Sequence, residues 1–504
     1  MAGARNPDES GTLRFLGPLC GLAVVAWLNH SVQPWTIDDA YISFRYAESF
    51  ARGEGFVYNP GEAVEGYTTF LWVFLIGVGN ALGADSRVLA KGLGALLTVA
   101  TVVLLARAHR FHRAISPDAS GIAATLLGGS AVFGVWAMTG MEVPLVAFLL
   151  TLTTLCFLRD AWLEDAWAWA GVSGALAWMT RPDSIVVLGV LCGGAAWRAV
   201  RARDLRPLRA PLVLAGLYAP YFAWRYVTYG WLLPNTFYAK VGSSEAQVWR
   251  GIGYVRDFVE PSAPLWLPAL LLGPLAWTAW QRYDRLAVLW LAGGLHVAYV
   301  VAVGGDVMPA FRFFAGVLPI LALTAGLALA LMPRVGWALT VPAVLFGMWE
   351  FEHHADLRPR IERGVVGLRG EEVGLWMREH LPPGVVATNT AGSVPYFSGF
   401  VAIDMLGLND AHIAHVEMPN MGGGRAGHEK ADGAYVLSRK PDYVHMGSAR
   451  GSDKPVFRSD RELFRQPGFR ERYVLKTWRL PSGGRLHLWV ERSVAASLGS
   501  ADGP

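Results

Sequence analysis

Long apolar runs, separated by short polar connections, limit the folds open to residues 1–349. Charged residues make up 17% of the chain, whereas soluble domains carry about a quarter, and a helix needs roughly 20 apolar residues to cross a bilayer. We therefore predict a mainly α, polytopic transmembrane protein with about eleven spans. The runs cover approximately 13–29, 86–106, 120–136, 143–158, 162–178, 184–197, 211–228, 263–280, 286–303, 313–332 and 336–349. A further run, 70–84, is short for a span and is predicted to be re-entrant or interfacial.

The placement of arginine predicts which side of the membrane each connection faces. Arginine-rich connections such as 107–113 and 198–209 alternate with loops that carry acidic and aromatic motifs. Cytoplasmic connections are enriched in Lys and Arg, so the motif-bearing loops are predicted outside the cytoplasmic (inner) membrane. An odd number of spans places the C-terminal residues on that same side. The predicted domains are a transmembrane domain, 1–349, with its first outer loop at 30–85, a soluble extracytoplasmic α/β domain, 350–492, and a disordered tail, 493–504.

The pattern after residue 350 alternates short apolar segments with turn residues, which is typical of a small α/β domain. A helix is predicted over 371–381, and strands over 385–388, 401–403, 443–444 and 486–490.

Two adjacent carboxylates, Asp38 and Asp39, open an amphipathic helical pattern over 40–51 in the first outer loop. They could cap that helix and interact with its dipole, or one could act as a general base while the other orients it or helps hold a divalent cation. Arg45, within the same helix, could pair with either aspartate or contact a phosphate. Glu65, at the exit of the loop, is either a solvated charge or a site residue.

Four further polar motifs fall on the same predicted side of the membrane. They contribute Glu142 in GMEVP, Arg181 and Asp183 in TRPD, Tyr238 and Lys240 in PNTFYAK, and Asp306 and Arg312 in GGDVMPAFR. Each has a structural alternative: an acidic residue in a first helical turn, a salt bridge, a snorkelling lysine or a capped helix start. Ionisable residues near a membrane are nevertheless often functional, and Lys240 with Tyr238 could hold an anionic headgroup.

Several function classes lack support in the sequence. No Walker loop, GxSxG elbow, HExxH or strand-associated GxGxxG is present. The three cysteines lie in apolar segments, and the net charge of +4 does not suggest a nucleic-acid partner. Gly422–Gly424 is interpreted as a flexible loop, and His428 as a surface residue that could contact a substrate. The sequence identifies no cofactor, and a divalent cation at Asp38 and Asp39 is a candidate.

Together, the motifs DDAYISFRYAESFARGEGFVYNPGEAVEGYTTFLW, GMEVPL, TRPD, LLPNTFYAK and GGDVMPAFRFF resemble the GT-C superfamily of polytopic glycosyltransferases, in particular the mycobacterial terminal arabinofuranosyltransferase family. The C-terminal segments ATNTAGSVPYFSGFVAIDMLGLND and RKPDY are similar to the same family. The resemblance implies transfer of one sugar from a polyprenyl-phosphate carrier to an acceptor hydroxyl outside the membrane. It also implies an essential acidic residue at Asp38 or Asp39. Arg181, Lys240 and Arg312 are the candidates for binding the phosphate.

These observations lead us to expect a membrane glycosyltransferase that acts on a cell-envelope glycan or glycolipid, with arabinofuranose as the sugar that the resemblance suggests. Asp38 is the first candidate for the base and Asp39 the second, and the C-terminal domain is expected to help bind the acceptor. A transporter or flippase of a lipid-linked sugar is the alternative, but it would need polar residues along its spans. A non-catalytic scaffold or sensor would leave the segregated charges unexplained and would tolerate Asp38→Asn.

Overall fold

The computed structural model describes residues 7–159, 165–270, 287–363, 366–419 and 421–498. Its contacts divide the chain into two compact units. The helical unit comprises 1–33, 90–224 and 251–362, and the α/β unit comprises 34–89, 225–250 and 363–504. The contacts thus group most of the predicted first outer loop with the C-terminal residues, while the predicted domain boundary at residue 349 stays a prediction.

Helices account for nearly all regular structure before residue 364. The α-helices are Pro7–Val32, Asp38–Ala51, Phe70–Ala81, Ser86–Ala106, Pro117–Gly128, Ala131–Gly134, Val143–Leu158, Ala166–Thr180, Ile185–Ala202, Arg209–Tyr229, Asn235–Lys240, Glu245–Val259, Ala287–Val303, Arg312–Ala315, Leu318–Leu329, Pro333–His353 and Arg358–Arg363. Short 3₁₀ helices lie at Ala108–Arg110, Val135–Met138, Pro182–Ser184 and Arg206–Leu208.

Three helices in the described residues are long and apolar enough to cross a membrane: Gly11–Val32, Ser86–Ala106 and Pro182–Ala202. A bent pair, Pro117–Gly128 and Ala131–Met138, makes a 68° angle and could form a fourth span. The shorter apolar helices are Phe70–Ala81, Val143–Leu158, Val288–Val303 and Leu318–Leu329. The structure therefore supports a mainly helical, membrane-type fold, and the count of eleven spans stays a prediction. Parts of three predicted runs, 162–164, 271–280 and 286, lie outside the described residues.

Small residues allow two helices of the helical unit to pack closely. A Cβ atom on Gly128 would lie 2.6 Å from the Cα of Gly21, so the two backbones meet without intervening side chains. Nearby, Arg14 donates two hydrogen bonds to Asp118, at 2.9 and 2.8 Å, and Trp337 donates a third at 3.0 Å. Close backbone contact and a satisfied polar group are both typical of packing between apolar helices.

A five-stranded mixed sheet forms the centre of the α/β unit. Its strands are β1 (Val385–Thr388), β2 (Val401–Asp404), β3 (Tyr443–His445), β4 (Tyr473–Arg479) and β5 (Arg485–Glu491), in the order β2-β1-β3-β5-β4. β1 is parallel to both β2 and β3, whereas β5 is antiparallel to β3 and β4. The helices after residue 365 are Val366–His380, Ser393–Ser398, Ala411–His415, Gly433–Ser438, Arg458–Phe464, Phe469–Arg472 and Arg492–Ser497.

The core of this sheet contains the residues that the apolar pattern predicts. Ala387, Ile403 and Val444 are buried together on neighbouring strands. The predicted strands in β1, β2, β3 and β5 and the predicted helix within Val366–His380 are confirmed. β4 was not predicted. Residues 493–497, predicted as tail, are helical because the Glu491 side chain accepts hydrogen bonds from the first backbone N–H groups, and 499–504 lie outside the described residues.

Candidate active site

Asp38 connects the 34–89 stretch of the α/β unit to its C-terminal segment. Its carboxylate accepts hydrogen bonds from the backbone N–H groups of Gly392 at 3.1 Å and Ser393 at 2.9 Å, and from the Ser393 hydroxyl. The cap position of the Asp38–Ala51 helix is Ile37, so Asp38 caps the turn before Ser393–Ser398 rather than its own helix. Burial raises the pKa of Asp38, and the Ser393 hydrogen bonds oppose that shift. These contacts give Asp38 an evident structural role.

Arg45 also joins the 34–89 stretch to the C-terminal segment of the α/β unit, and it does not pair with either aspartate. Its guanidinium donates to the carbonyls of Tyr58 at 2.6 Å, Pro395 at 2.6 Å and Phe400 at 2.8 Å, and to Asn59 Oδ1 at 3.2 Å. The predicted ion pair with Asp38 or Asp39 is therefore wrong, because backbone carbonyls take the donors instead. Arg45 is only 9% exposed, which leaves little access for a substrate phosphate.

Glu65 forms a buried ion pair with Arg225, a residue that the sequence analysis did not single out. The Arg225 Nε lies 2.9 Å from Glu65 Oε1, and both side chains are 4% exposed. Burial raises the pKa of Glu65, and the Arg225 charge opposes that shift. The interpretation of Glu65 as a solvated charge is wrong. Its backbone carbonyl also accepts a hydrogen bond from Asn235 N at 3.1 Å, so the pair joins the loop exit to the PNTFYAK segment.

Asp39, Lys240, Arg425 and His428 form a charged cluster in the α/β unit. Burial, then the charges of Arg425 and Lys240, lower the pKa of His428 to about 4, whereas the Asp39 charge raises it. All three charges are thus close enough to His428 to affect its ionisation. A helix turns by about 100° per residue, so Asp39 leaves its helix in a different direction from Asp38. The sequence analysis nominated Asp39 and Lys240 but gave Arg425 no role and treated His428 as a surface residue.

The loop backbone fixes the orientation of two members of this cluster. His428 Nδ1 lies 3.1 Å from the carbonyl oxygen of Ala426, which can only accept, so Nδ1 carries the proton and Nε2 keeps its lone pair. A Cβ on Gly427 would lie 3.2 Å from Lys240 Cε, so the lysine stem packs against the glycine. Gly427 also has φ +72°, a conformation that glycine adopts without strain.

The helix Asn235–Lys240 carries both Tyr238 and Lys240. Asn235 Nδ2 donates to the carbonyls of Gly407 and Leu408, at 2.8 and 3.0 Å, which ties this helix to the segment after β2. The ring of Tyr238 lies 4.5 Å from that of His415. Tyr238 therefore lies in the same part of the α/β unit as Lys240, as the sequence predicts.

The remaining predicted site residues form ion pairs within the helical unit. Arg181 binds Glu142 at 2.7 Å and Asp183 at 2.8 Å. Arg312 Nε lies 2.7 Å from Asp306 Oδ2. Three carboxylates thus accompany two guanidinium groups, and the resulting net negative charge does not favour phosphate binding. The salt-bridge interpretation of TRPD is confirmed, whereas a substrate role for these five residues stays a prediction.

The surroundings of Asp38 do not fit a divalent cation, because N–H and O–H donors point at both of its oxygens. Across the described residues, no group of three His, Cys, Asp or Glu side chains is arranged to hold a metal ion.

The fold is of the GT-C type. The structure superposes on ArnT from Cupriavidus metallidurans, solved bound to undecaprenyl phosphate, with a TM-score of 0.54 at 14% identity, over 76% of this chain and 85% of ArnT. It also superposes on the oligosaccharyltransferase AglB from Archaeoglobus fulgidus, solved with an inhibitory peptide and a dolichol-phosphate, with a TM-score of 0.51 at 12% identity, over 95% of this chain and 74% of AglB.

The predicted resemblance to terminal arabinofuranosyltransferases is confirmed. The chain is 30% identical over 351 residues to a terminal β-(1→2)-arabinofuranosyltransferase of Mycobacterium tuberculosis, covering 57% of this chain and 53% of the relative. It is 28% identical over 399 residues to the protein of that name from Corynebacterium glutamicum, covering 69% and 56%. The chain thus spans about half the length of these relatives. Residues 358–491 match a family model described as a domain of unknown function, DUF8728.

Proposed function

We propose that the protein is a multi-pass glycosyltransferase of the cytoplasmic membrane that transfers a sugar from a polyprenyl-phosphate donor to a hydroxyl of an extracytoplasmic cell-envelope glycan or glycolipid. Arabinofuranose is the proposed sugar, because the curated relatives carry that name. The observation that carries the proposal is the grouping of Asp39, Lys240 and Arg425 around His428. This grouping combines one carboxylate and two cations with an imidazole that is neutral at physiological pH.

In this mechanism Asp39 accepts the proton of the acceptor hydroxyl as the oxygen attacks the anomeric carbon. The bond between that carbon and the phosphate oxygen breaks, and the polyprenyl phosphate leaves with the electron pair. Lys240 and Arg425 stabilise the negative charge that develops on the leaving phosphate. His428 Nε2, which keeps its lone pair, accepts a hydrogen bond from a sugar hydroxyl and orients it. The products are the new glycoside and polyprenyl phosphate.

The geometry favours Asp39 over Asp38 as the base, which reverses their order in the sequence analysis. A base must meet the substrate proton at hydrogen-bond distance. The Asp38 oxygens already accept hydrogen bonds from Gly392 and Ser393, which reduces their access to a substrate proton. Asp39 belongs to the group of charges, with Lys240 and Arg425, that act on His428.

The test measures transfer from a radiolabelled polyprenyl-phosphate arabinofuranose to an arabinan acceptor, using purified wild type, Asp39→Asn and Asp38→Asn at equal concentration. We expect transfer by wild type and a loss of about 100-fold or more in Asp39→Asn, beyond any loss of folded protein shown by thermal unfolding. Asp38→Asn should lower that midpoint, because its amide N–H₂ would face backbone donors.

Full activity in Asp39→Asn would refute the assignment of the base. Absence of transfer by wild type with both the pentose donor and a polyprenyl-phosphate hexose would refute the proposed function. Movement of the labelled lipid across a liposome membrane without formation of a glycoside would favour the transporter alternative.

A further inference from the structure

A buried carboxylate organises the segment Met421–Glu429, here called the glycine-rich loop. Glu429 is 7% exposed, and its Oε1 accepts hydrogen bonds from the backbone N–H groups of Gly422 at 2.8 Å and Gly424 at 2.7 Å. Its Oε2 lies 3.1 Å from Arg250 Nη1. The Glu429 side chain, at the end of the loop, therefore binds the backbone at the start of the loop.

The partner of Glu429 extends this arrangement to a second segment. Arg250 Nη1 also donates to the carbonyl of Gly424 at 3.0 Å, so both the N–H and the C=O of Gly424 are hydrogen-bonded. Ser244 donates to the carbonyl of Met421. The loop is thus attached at several backbone positions to residues 244–250 of the same unit.

Close packing leaves the loop little conformational freedom despite its glycines. Gly422 has φ +101°, and a Cβ there would lie 2.5 Å from Gln247 Cβ. Free glycines would sample many conformations, so such a loop needs specific contacts to remain in one of them. The interpretation of Gly422–Gly424 as a flexible loop is therefore replaced by that of a fixed one.

We infer that Glu429 is a positioning residue for the proposed glycosyl transfer: it fixes the glycine-rich loop in the conformation that holds Arg425 and His428 near Asp39 and Lys240. The inference rests on the proposed function. Glu429 touches no reacting group in the proposed mechanism, because its carboxylate binds the loop backbone and Arg250. Misplacing catalytic groups by about 1 Å can cost on the order of 100-fold in rate.

The test compares full-length wild type, Glu429→Ala, Glu429→Gln and the control Glu379→Ala, an exposed glutamate of the Val366–His380 helix. Hydrogen–deuterium exchange of the peptide containing the loop reports its conformation, and transfer kinetics report kcat and KM. We expect Glu429→Ala to speed amide exchange in the loop and to lower kcat/KM by about 10–100-fold. Glu429→Gln should recover part of both, because its amide oxygen can still accept the Gly422 and Gly424 hydrogen bonds.

Two outcomes would overturn the inference. One is loop exchange in Glu429→Ala that matches Glu379→Ala, which would mean that the carboxylate does not fix the loop. The other is faster exchange with unchanged kcat/KM, which would mean that the conformation does not matter for transfer. If Glu429→Ala is too unstable to purify, Glu429→Gln is judged by the same two measurements. Failure of wild type to transfer sugar would refute the proposed function separately, since the exchange experiment does not depend on activity.

Discussion

Replacing Arg45 with lysine separates an anchoring role from a phosphate-binding role, because the substitution keeps the positive charge. The planar guanidinium reaches the carbonyls of Tyr58, Pro395 and Phe400 and Asn59 Oδ1 in different directions. A lysine ammonium donates from one point and cannot reproduce this fork. If Arg45 bound a substrate phosphate, lysine would retain much of the function; if it anchors the loop, lysine should destabilise the protein.

The loss can be estimated from the acceptors that Arg45 satisfies. Pro395 O also accepts from Gly399 N, and Asn59 Oδ1 also accepts from Ala402 N, so each keeps a partner. The loss should therefore fall mainly on the carbonyls of Tyr58 and Phe400. An unsatisfied buried acceptor costs about 1–3 kcal/mol, so the loss of two should cost about 2–6 kcal/mol in total.

Thermal unfolding of the detergent-purified protein, followed by the loss of the monodisperse peak in size-exclusion chromatography, measures this effect. For a unit of about 150–250 residues, each kcal/mol lowers the midpoint by roughly 2–4 °C, so we expect a fall of about 4–24 °C. Arg378→Lys, at an exposed helical position, is the matched control and should change nothing. A midpoint equal to wild type, together with a raised KM for the lipid donor, would refute the anchoring argument and restore the phosphate-binding one.

Three further predictions concern the same unit. Glu65→Gln should cost about 3–5 kcal/mol in the free energy of unfolding, since it leaves Arg225 charged and buried, and a midpoint within 2 °C of wild type would contradict it. Burial raises the pKa of Asp404 to about 6, so this group stabilises the folded state below pH 4 and loses that contribution as the pH rises towards 6. Asp404→Asn should therefore flatten the pH dependence of the unfolding midpoint between pH 4 and 7. An unaltered slope would show that Asp404 does not cause this pH dependence. A Cβ at Gly392 would lie 1.9 Å from the Asp38 carbonyl oxygen, so Gly392→Ala should lower the midpoint more than any exposed Gly→Ala change, and normal stability would show that the two segments separate readily.

The sequence predicts elements whose residues repeat with a clear period and misses those shaped by distant contacts. β1, β2, β3 and β5 were predicted from short apolar runs, whereas β4, an edge strand whose side chains are mostly exposed or half-buried, gives a weaker signal. Arg225 lies inside an apolar run, so the run predicts a span and gives no signal for a site. An isolated arginine in an apolar segment nevertheless needs a partner such as a carboxylate, and Glu65 provides it.

The residues of the candidate site also divide into those that the sequence predicts and those that it misses. Asp38, Asp39 and Lys240 occur in dense polar motifs and were nominated for that reason. Arg425 and His428 lie in a glycine-rich stretch without periodicity, and their relation to Asp39 depends on a fold that brings together distant positions. A glutamate directly follows His428 in the sequence, but a single sequence does not show that the carboxylate of this glutamate binds the loop backbone.

The α/β unit is assembled from three separate stretches of the chain, and this determines when it can fold. Arg45 emerges early in synthesis, yet its acceptor Pro395 lies 350 residues later. At about 5–20 residues per second, the ribosome needs roughly 20–70 s to supply it. Contacts of such high sequence separation also slow folding. During this interval Arg45 can bind Tyr58 and Asn59 but lacks its acceptors Pro395 and Phe400. Completion of the 34–89 stretch of the α/β unit therefore depends on residues synthesised much later, and the nascent chain needs protection from aggregation and proteolysis until they arrive.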